Sequence, residues 1–271
     1  MKMTRIIAAA VAALSLTGIA YAANTVLQET PEHHHWHHAG PFGTFDREQL
    51  QRGLQVYQEV CSSCHSMDHL RFRNLGETGG PFESAEYPNA NDNPIVMQIA
   101  RAYERNWNPA EVDDGGDPVV RAGLPSDPFP APFDNPQQAR ASNGGALPPD
   151  LSLIVNARHH GEDYVASLLT GFGREVPADM TISAGKHYNP YFPGGVIAMA
   201  APLSEGLLTY ADGTEPTVEE MAEDVSAFLA WASDPHMEAR KQLGVIVLIY
   251  LFIFAILVYL AYRQIWSNVK H

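Results

Sequence analysis

Cysteine occurs at only two positions in this 271-residue chain, and both lie in one run, Cys61-Ser62-Ser63-Cys64-His65. Two thiols one helical turn apart can add across the two vinyl groups on one edge of a porphyrin. The imidazole that follows then lies beneath the iron. The run reads as a c-type haem attachment site, with Cys61 and Cys64 as thioether positions and His65 as the proximal axial ligand. A thioredoxin-like redox pair would sit in a βαβ pattern, which the flanks lack, and a structural zinc site would need a second Cys or His cluster, which is absent. Whatever else the chain forms, it has to enclose a large flat apolar group.

Both ends carry apolar runs of different kinds. Residues 1–22 have Lys2 and Arg5, an apolar stretch and then Ala20-Tyr21-Ala22, the pattern of a cleaved secretory signal. Residues 243–262 run without a charge, long enough at about 1.5 Å per residue to cross a hydrocarbon core of about 30 Å. Tyr250, Tyr259, Tyr262 and Trp266 suit an interfacial aromatic belt. Cations flank the run on both sides, so the positive-inside rule is ambiguous. The leader, which lacks the Arg- and Ser-rich character of a mitochondrial transit peptide, instead predicts residues 23–242 in the bacterial periplasm and 263–271 as a cytoplasmic tail.

The formal net charge is −14, and the cations Lys2, Arg5, Arg263 and Lys270 all lie in the leader and tail, so the exported part is more acidic still. That balance argues against nucleic-acid binding and for attraction of a basic partner.

Between the ends, residues 23–45 show no period and include His33 to His38 as HHHWHH, read as an extended arm; a metal site there lacks partners in a fixed frame. Asp46 is a good N-cap for a helix with Leu50, Leu54, Tyr57 and Val60 on one face, and Gly53 inside it suits close approach of another helix. From Arg71 to about Pro136 the chain is Gly-, Pro- and Asp-rich and predicts irregular structure laid over a core, with only residues 94–107 looking helical. Helical periodicity returns at 148–154 and 162–169, with Asp150 and Asp163 near the starts. Thr217 to Glu220 reads as a capping box before a stripe of Met221, Val225, Phe228, Leu229 and Ala232, which Asp234-Pro235 ends.

Iron held by His65 wants a sixth ligand. The available side chains are Met67, Met97, Met180, Met199, Met221 and Met237, with His69, His159, His160 and His187. Met67 and His69 are too close to His65 to reach the opposite face; Met221 lies on the core stripe and Met237 beside the membrane. Met199 is favoured, because it sits in a Pro-bounded loop of small apolar residues (193–203) just upstream of the last soluble helix. A helix, the attachment run, irregular loops, a late methionine and a final amphipathic helix follow the order of a class I c-type cytochrome. The fold class expected is mainly α, a class I cytochrome c-like haem domain with loop insertions plus one C-terminal transmembrane helix.

Four stretches resemble the cytochrome c1 family, the haem subunits of cytochrome bc1 complexes: RGLQVYQEVCSSCHSM (52–67), NGGALPPDLSLIVNARHHGEDYVASLLTGF (143–172), YNPYFPGGVIAMAAPL (188–203) and the anchor segment ending in IWSNVK. The loop 76–138 matches least. The resemblance implies haem c joined to Cys61 and Cys64, iron ligands His65 and Met199, Arg158 as a haem-propionate partner, and Asn143, Pro149 and Tyr164 as pocket residues. Some members brace their inserts with a disulfide; no cysteine remains here for one.

By the same resemblance the chain is an electron-transfer subunit, not catalytic alone, in a dimeric membrane complex. Its implied partners are cytochrome b, the Rieske iron-sulfur protein as electron donor and a soluble or tethered cytochrome c as acceptor. The rivals are a membrane-anchored cytochrome subunit of another respiratory oxidase or dehydrogenase, and a freestanding tethered carrier.

Overall fold

A computed structural model describes residues 28–108 and 110–267. The leader at 1–22, the first residues of the arm and the end of the tail fall outside the described residues.

Asp46 starts the first helix, α1 (Arg47–Glu59), its carboxylate accepting from the backbone N–H groups of Glu48 at 2.9 Å and Gln49 at 3.4 Å. Leu50, Leu54 and Tyr57 are buried along its predicted stripe. Against this face packs α5 (Val218–Ser233), which buries Met221, Val225, Phe228, Leu229 and Ala232. The crossing is close: a Cβ added at Gly53 would lie 2.1 Å from the Asp224 carbonyl oxygen. Beside it Arg52 meets the buried Asp224 carboxylate through Nε at 2.8 Å and Nη2 at 2.9 Å. Thr217 caps α5 by accepting from the Glu220 N–H at 3.1 Å. Only that half of the capping box forms, since the Glu220 carboxylate faces Arg52 at 3.3 Å instead.

The long irregular stretch is laid over this core as its sequence suggests. Phe72, Leu75, Val96 and Phe129 join the same apolar cluster as Leu54 and Phe228, and Phe72 stacks on Phe129 with ring centroids 4.7 Å apart. Within the stretch, α2 (Pro94–Arg101) is shorter than the 94–107 expected; the chain then turns into β1 (Glu104–Arg105), antiparallel to β2 (Arg121–Ala122). A further short helix, α3 (Pro136–Ser142), capped by Asn135, was not expected at all.

Residues 148–154 do not form the helix their periodicity suggests. Asp150 accepts from the N–H of Ser152 at 2.9 Å, an Asx turn that competes with a helix start, and successive turns follow to residue 160. Then comes α4 (Gly161–Thr170), and after it the hairpin of β3 (His187–Tyr188) with β4 (Val196–Ile197).

The arm has no regular hydrogen-bonded structure, as expected, yet it is docked against the body. Trp36 and His38 are buried, and the arm contacts α4 and α5 through Asp163, Glu162 and Glu223. The last helix, α6 (Met237–Trp266), starts before the apolar run at 243–262 and outlasts it. Its most apolar window has a mean hydropathy of 3.0 and none of it is buried against the domain.

Candidate haem site

The attachment run leaves α1 as a single 3-10 turn (Cys61–Ser63), with the N–H groups of Cys64 and His65 both donating to the Cys61 carbonyl, at 3.1 and 2.9 Å. Ser62 donates its hydroxyl to the Gln58 carbonyl at 2.7 Å, which binds the turn to the helix before it. Both thiols are therefore carried at the end of α1, and both are free. Burial, and secondly the neighbouring Cys64, pushes the Cys61 thiol up to about 12.

After the turn, residues 65–69 run beside 149–152. The Ser66 carbonyl accepts from the Leu151 N–H at 2.9 Å. The Asp150 carboxylate accepts from the Ser66 hydroxyl and from the Asp68 N–H, both at 2.8 Å, and the Ser152 hydroxyl accepts from the His69 N–H at 3.1 Å. Burial works against the Asp150 charge, but these donors outweigh it and hold the carboxyl below its ordinary range.

This pairing sets the His65 ring. Its Nδ1 lies 2.8 Å from the Pro149 carbonyl oxygen, an acceptor only, so Nδ1 carries the proton and Nε2 keeps its lone pair. Nε2 has no hydrogen-bond partner among the described residues. Burial lowers the ring's pKa, with the Pro149 carbonyl and the Asp150 charge opposing, which favours the neutral imidazole that metals bind. The Tyr57 hydroxyl donates to the His65 carbonyl at 3.3 Å.

The remaining expected residues are placed as follows. Asn143 closes α3, its side-chain amide donating to the Ala139 carbonyl at 2.7 Å. Arg158 is exposed on the turns after Asp150; its guanidinium donates to the Ala157 carbonyl at 3.1 Å and interacts with the buried Tyr164 of α4, and among the described residues it meets no carboxylate. Burial raises the Tyr164 pKa against the opposing pull of Arg158. Met199 is half-buried just beyond β4. Its loop is tied to α4 by the fully buried Asn189, which donates to the Leu168 carbonyl at 2.7 Å.

The other methionines have other surroundings. Met67, Met221 and Met237 belong to the apolar core; Met97 faces Arg101 on its own helix; and Met180 packs over Gly195, whose added Cβ would lie 2.9 Å from its methyl group. His69, His159, His160 and His187 are exposed. Among the described residues no three His, Cys, Asp or Glu side chains gather as a metal site, the His-rich arm included.

Two free thiols one turn apart, a neutral imidazole with one nitrogen anchored and the other uncommitted, and a half-buried thioether on a later loop form a donor set that fits a haem c. Sequence reasoning missed the clamp made by Asp150, which reads as a helix cap, and the Tyr57 hydroxyl, which reads as core. The pairing of an Asx-turn residue with the segment after His65 leaves no short-range signal.

The family model described as the Cytochrome C1 family matches residues 36–269. Cytochrome c1 of Rhodospirillum rubrum is 39% identical over 251 residues, covering 87% of each chain. The mitochondrial cytochrome c1 haem protein of Saccharomyces cerevisiae is 44% identical over 238 residues, 87% of this chain and 72% of the yeast protein. Cytochrome b/c1 of Bradyrhizobium diazoefficiens is 45% identical over 258 residues, 89% of this chain, which spans only 36% of that longer protein. With the mainly helical fold and its one apolar C-terminal helix, these matches place the chain in the cytochrome c1 family.

Proposed function

We propose that this protein is the electron-relaying haem subunit of a quinol:cytochrome c oxidoreductase, taking electrons from a Rieske iron-sulfur protein and passing them to a cytochrome c on the periplasmic side. When bound, the haem supplies a one-electron iron couple. Cys61 and Cys64 would hold it covalently, His65 and Met199 would supply the iron's protein donors, and Arg158, which meets no carboxylate among the described residues, would pair a propionate. Asn143, Pro149 and Tyr164 shape the pocket. The leader at 1–22 directs export, α6 anchors the domain with its N-terminal end outside, and cytochrome b is the membrane partner in a dimeric assembly.

The observation that carries this reading is the His65–Pro149 contact of 2.8 Å, one residue beyond the thiol pair. It fixes one ring nitrogen as donor and leaves the other as a ligand for whatever the thiols tether. The thioether of Met199 favours ferrous iron and a high potential, which suits an acceptor of electrons from an oxidising donor. With His65 and Met199 both donating to the iron, the group would serve electron transfer. The acidic net charge of −14 supports attraction of a basic cytochrome c, in a contact that weakens with salt.

The test is optical redox titration of the membrane complex purified through this chain. A pyridine haemochrome of haem c, copurifying cytochrome b and Rieske protein, and a large fall in midpoint potential in Met199→Leu are the expected results. Copurification with oxidase subunits instead, or a potential and spectrum unmoved in Met199→Leu, would overturn the reading.

A further inference from the structure

The arm residues 39–44 form a tight loop whose tip exposes Phe42 to 80%, more than any other large apolar side chain among the described residues. The loop is closed at its base by His38 stacked on Phe45, with ring centroids 4.5 Å apart. It is compact: a Cβ at Gly43 would lie 2.1 Å from the Ala39 carbonyl oxygen. Its position is fixed by α6. Lys241 donates its ammonium to the carbonyls of His38 at 2.6 Å and Gly43 at 3.1 Å, while the Phe45 N–H and the Arg47 guanidinium both bind Glu238, each at 2.8 Å.

Lys241 stands just before the charge-free run at 243–262, about 3 Å along the helix axis from Leu243, the first exposed apolar residue of that run. The residue next to Phe42 is therefore bonded to the helix at the level where the helix enters the membrane.

The anchor also lacks something at this end. Tyr259, Tyr262 and Trp266 gather at its C-terminal end, but the first aromatic residue after its start is Tyr250, roughly 10 Å inside the run. An apolar ring presented on a compact loop between Gly40, Pro41 and Gly43, held by the Lys241 ammonium, has the chemistry of an interfacial wedge. We propose that Phe42 inserts into the headgroup boundary of the bilayer, so that the arm gives the haem domain a second contact with lipid beside α6. This rests on the reading of α6 as a membrane span.

The test places a nitroxide at Phe42→Cys in the full, haem-loaded complex in phosphatidylcholine nanodiscs, with labels at Ile253→Cys in the middle of α6 and at Val112→Cys on the loop before β2, far in sequence from the anchor. The unlabelled parent complex, treated in parallel, corrects for other thiols. Collision with oxygen, which partitions into lipid, is compared with collision with a water-soluble nickel chelate. The oxygen-to-nickel ratio at 42 is expected to exceed that at 112 by several-fold and to fall below that at 253. A ratio at 42 equal to that at 112, with 253 lipid-like, overturns the proposal and leaves the anchor standing. Protection of 42 from both reagents overturns it in favour of a protein neighbour, and an aqueous ratio at 253 removes the anchor reading itself.

Discussion

His65 and Pro149 lie far apart in sequence, and the Nδ1 of the first stands 2.8 Å from the carbonyl oxygen of the second. A carbonyl that accepts from the distal nitrogen of a metal-bound imidazole makes the ring a stronger donor and so favours the ferric state. Pro149→Gly frees that backbone and weakens the contact, and the midpoint potential of the haem should rise. The ceiling is about 40 mV, the one-electron equivalent of a neutral hydrogen bond worth about 1 kcal/mol. A redox titration that gives the parent value would show that the carbonyl positions the ring without tuning it.

Asp150 gathers the Ser66 hydroxyl and the Asp68 and Ser152 N–H groups, at 2.8, 2.8 and 2.9 Å, and so holds the segment after His65 in place. Asp150→Ala leaves three donors without their charged acceptor and should cost about 2–4 kcal/mol, read as an earlier denaturant midpoint followed in the Soret band. The folded carboxyl titrates below its ordinary 3.8, so its contribution is complete above that value and is lost as pH falls through the lowered one. The gap between parent and variant should accordingly close only on acidification below about pH 4. A gap that closes on the alkaline side instead would contradict the assignment.

Gly53 sits where α1 crosses α5, with the Asp224 carbonyl oxygen 2.1 Å and the Phe228 Cβ 2.6 Å from where its own Cβ would be. Helix propensity alone makes Gly53→Ala stabilising by about 1 kcal/mol. A contact of that length with backbone cannot be relieved by turning a side chain, so the helices must separate, at a cost of about 3 kcal/mol or more. The clash wins, and the variant should unfold at lower denaturant and accumulate less holoprotein. Gly53→Ala with parent stability would mean that the crossing is looser than the structure has it.

Much of this architecture was legible because it rests on short-range patterns. Asp46 and Leu50, Leu54 and Tyr57 announce α1, Thr217 and the stripe from Met221 announce α5, and the charge-free run announces α6. The attachment run was legible because its chemistry fixes its spacing. What was not legible depends on partners distant in the chain. Asp150 and Asp163 both read as helix starters, yet one clamps the segment after His65 and the other binds the arm. Glu220 was expected back at its own N-cap and went to Arg52. For a short polar side chain the local and distant acceptor roles compete at nearly equal energy, and only the fold decides between them. Asp224, wholly buried between Met221 and Phe228 along the apolar stripe of α5, likewise finds its partner far away in the chain, the Arg52 guanidinium.

Along HHHWHH the side chains alternate, so that His34, Trp36 and His38 turn toward the body while His35 and His37 face solvent. Asp163 gathers three of its groups: the Trp36 indole N–H at 2.7 Å, the His34 N–H at 3.1 Å and the His33 Nδ1 at 2.8 Å. Glu223 and Glu162 face His34 and His38 at 2.8 and 3.3 Å. Burial would raise the Asp163 and Glu162 carboxyls, but the hydrogen bonds from the arm outweigh it and hold both below their ordinary range. Asp163→Ala should therefore release the arm as a unit. Amide exchange at residues 33–38 should rise and the Trp36 emission shift to the red, with exchange in α1 and the haem spectrum unchanged, because Leu54 packs without the arm, whereas Ala166 of α4 and Ala227 of α5 lose the cover of Trp36. In the parent the same release should follow acidification as pH drops through the lowered pKa values of Asp163 and Glu162, below about pH 4. Exchange at 33–38 that stays slow in Asp163→Ala would show that burial of Trp36, and not the carboxylate, holds the arm in place.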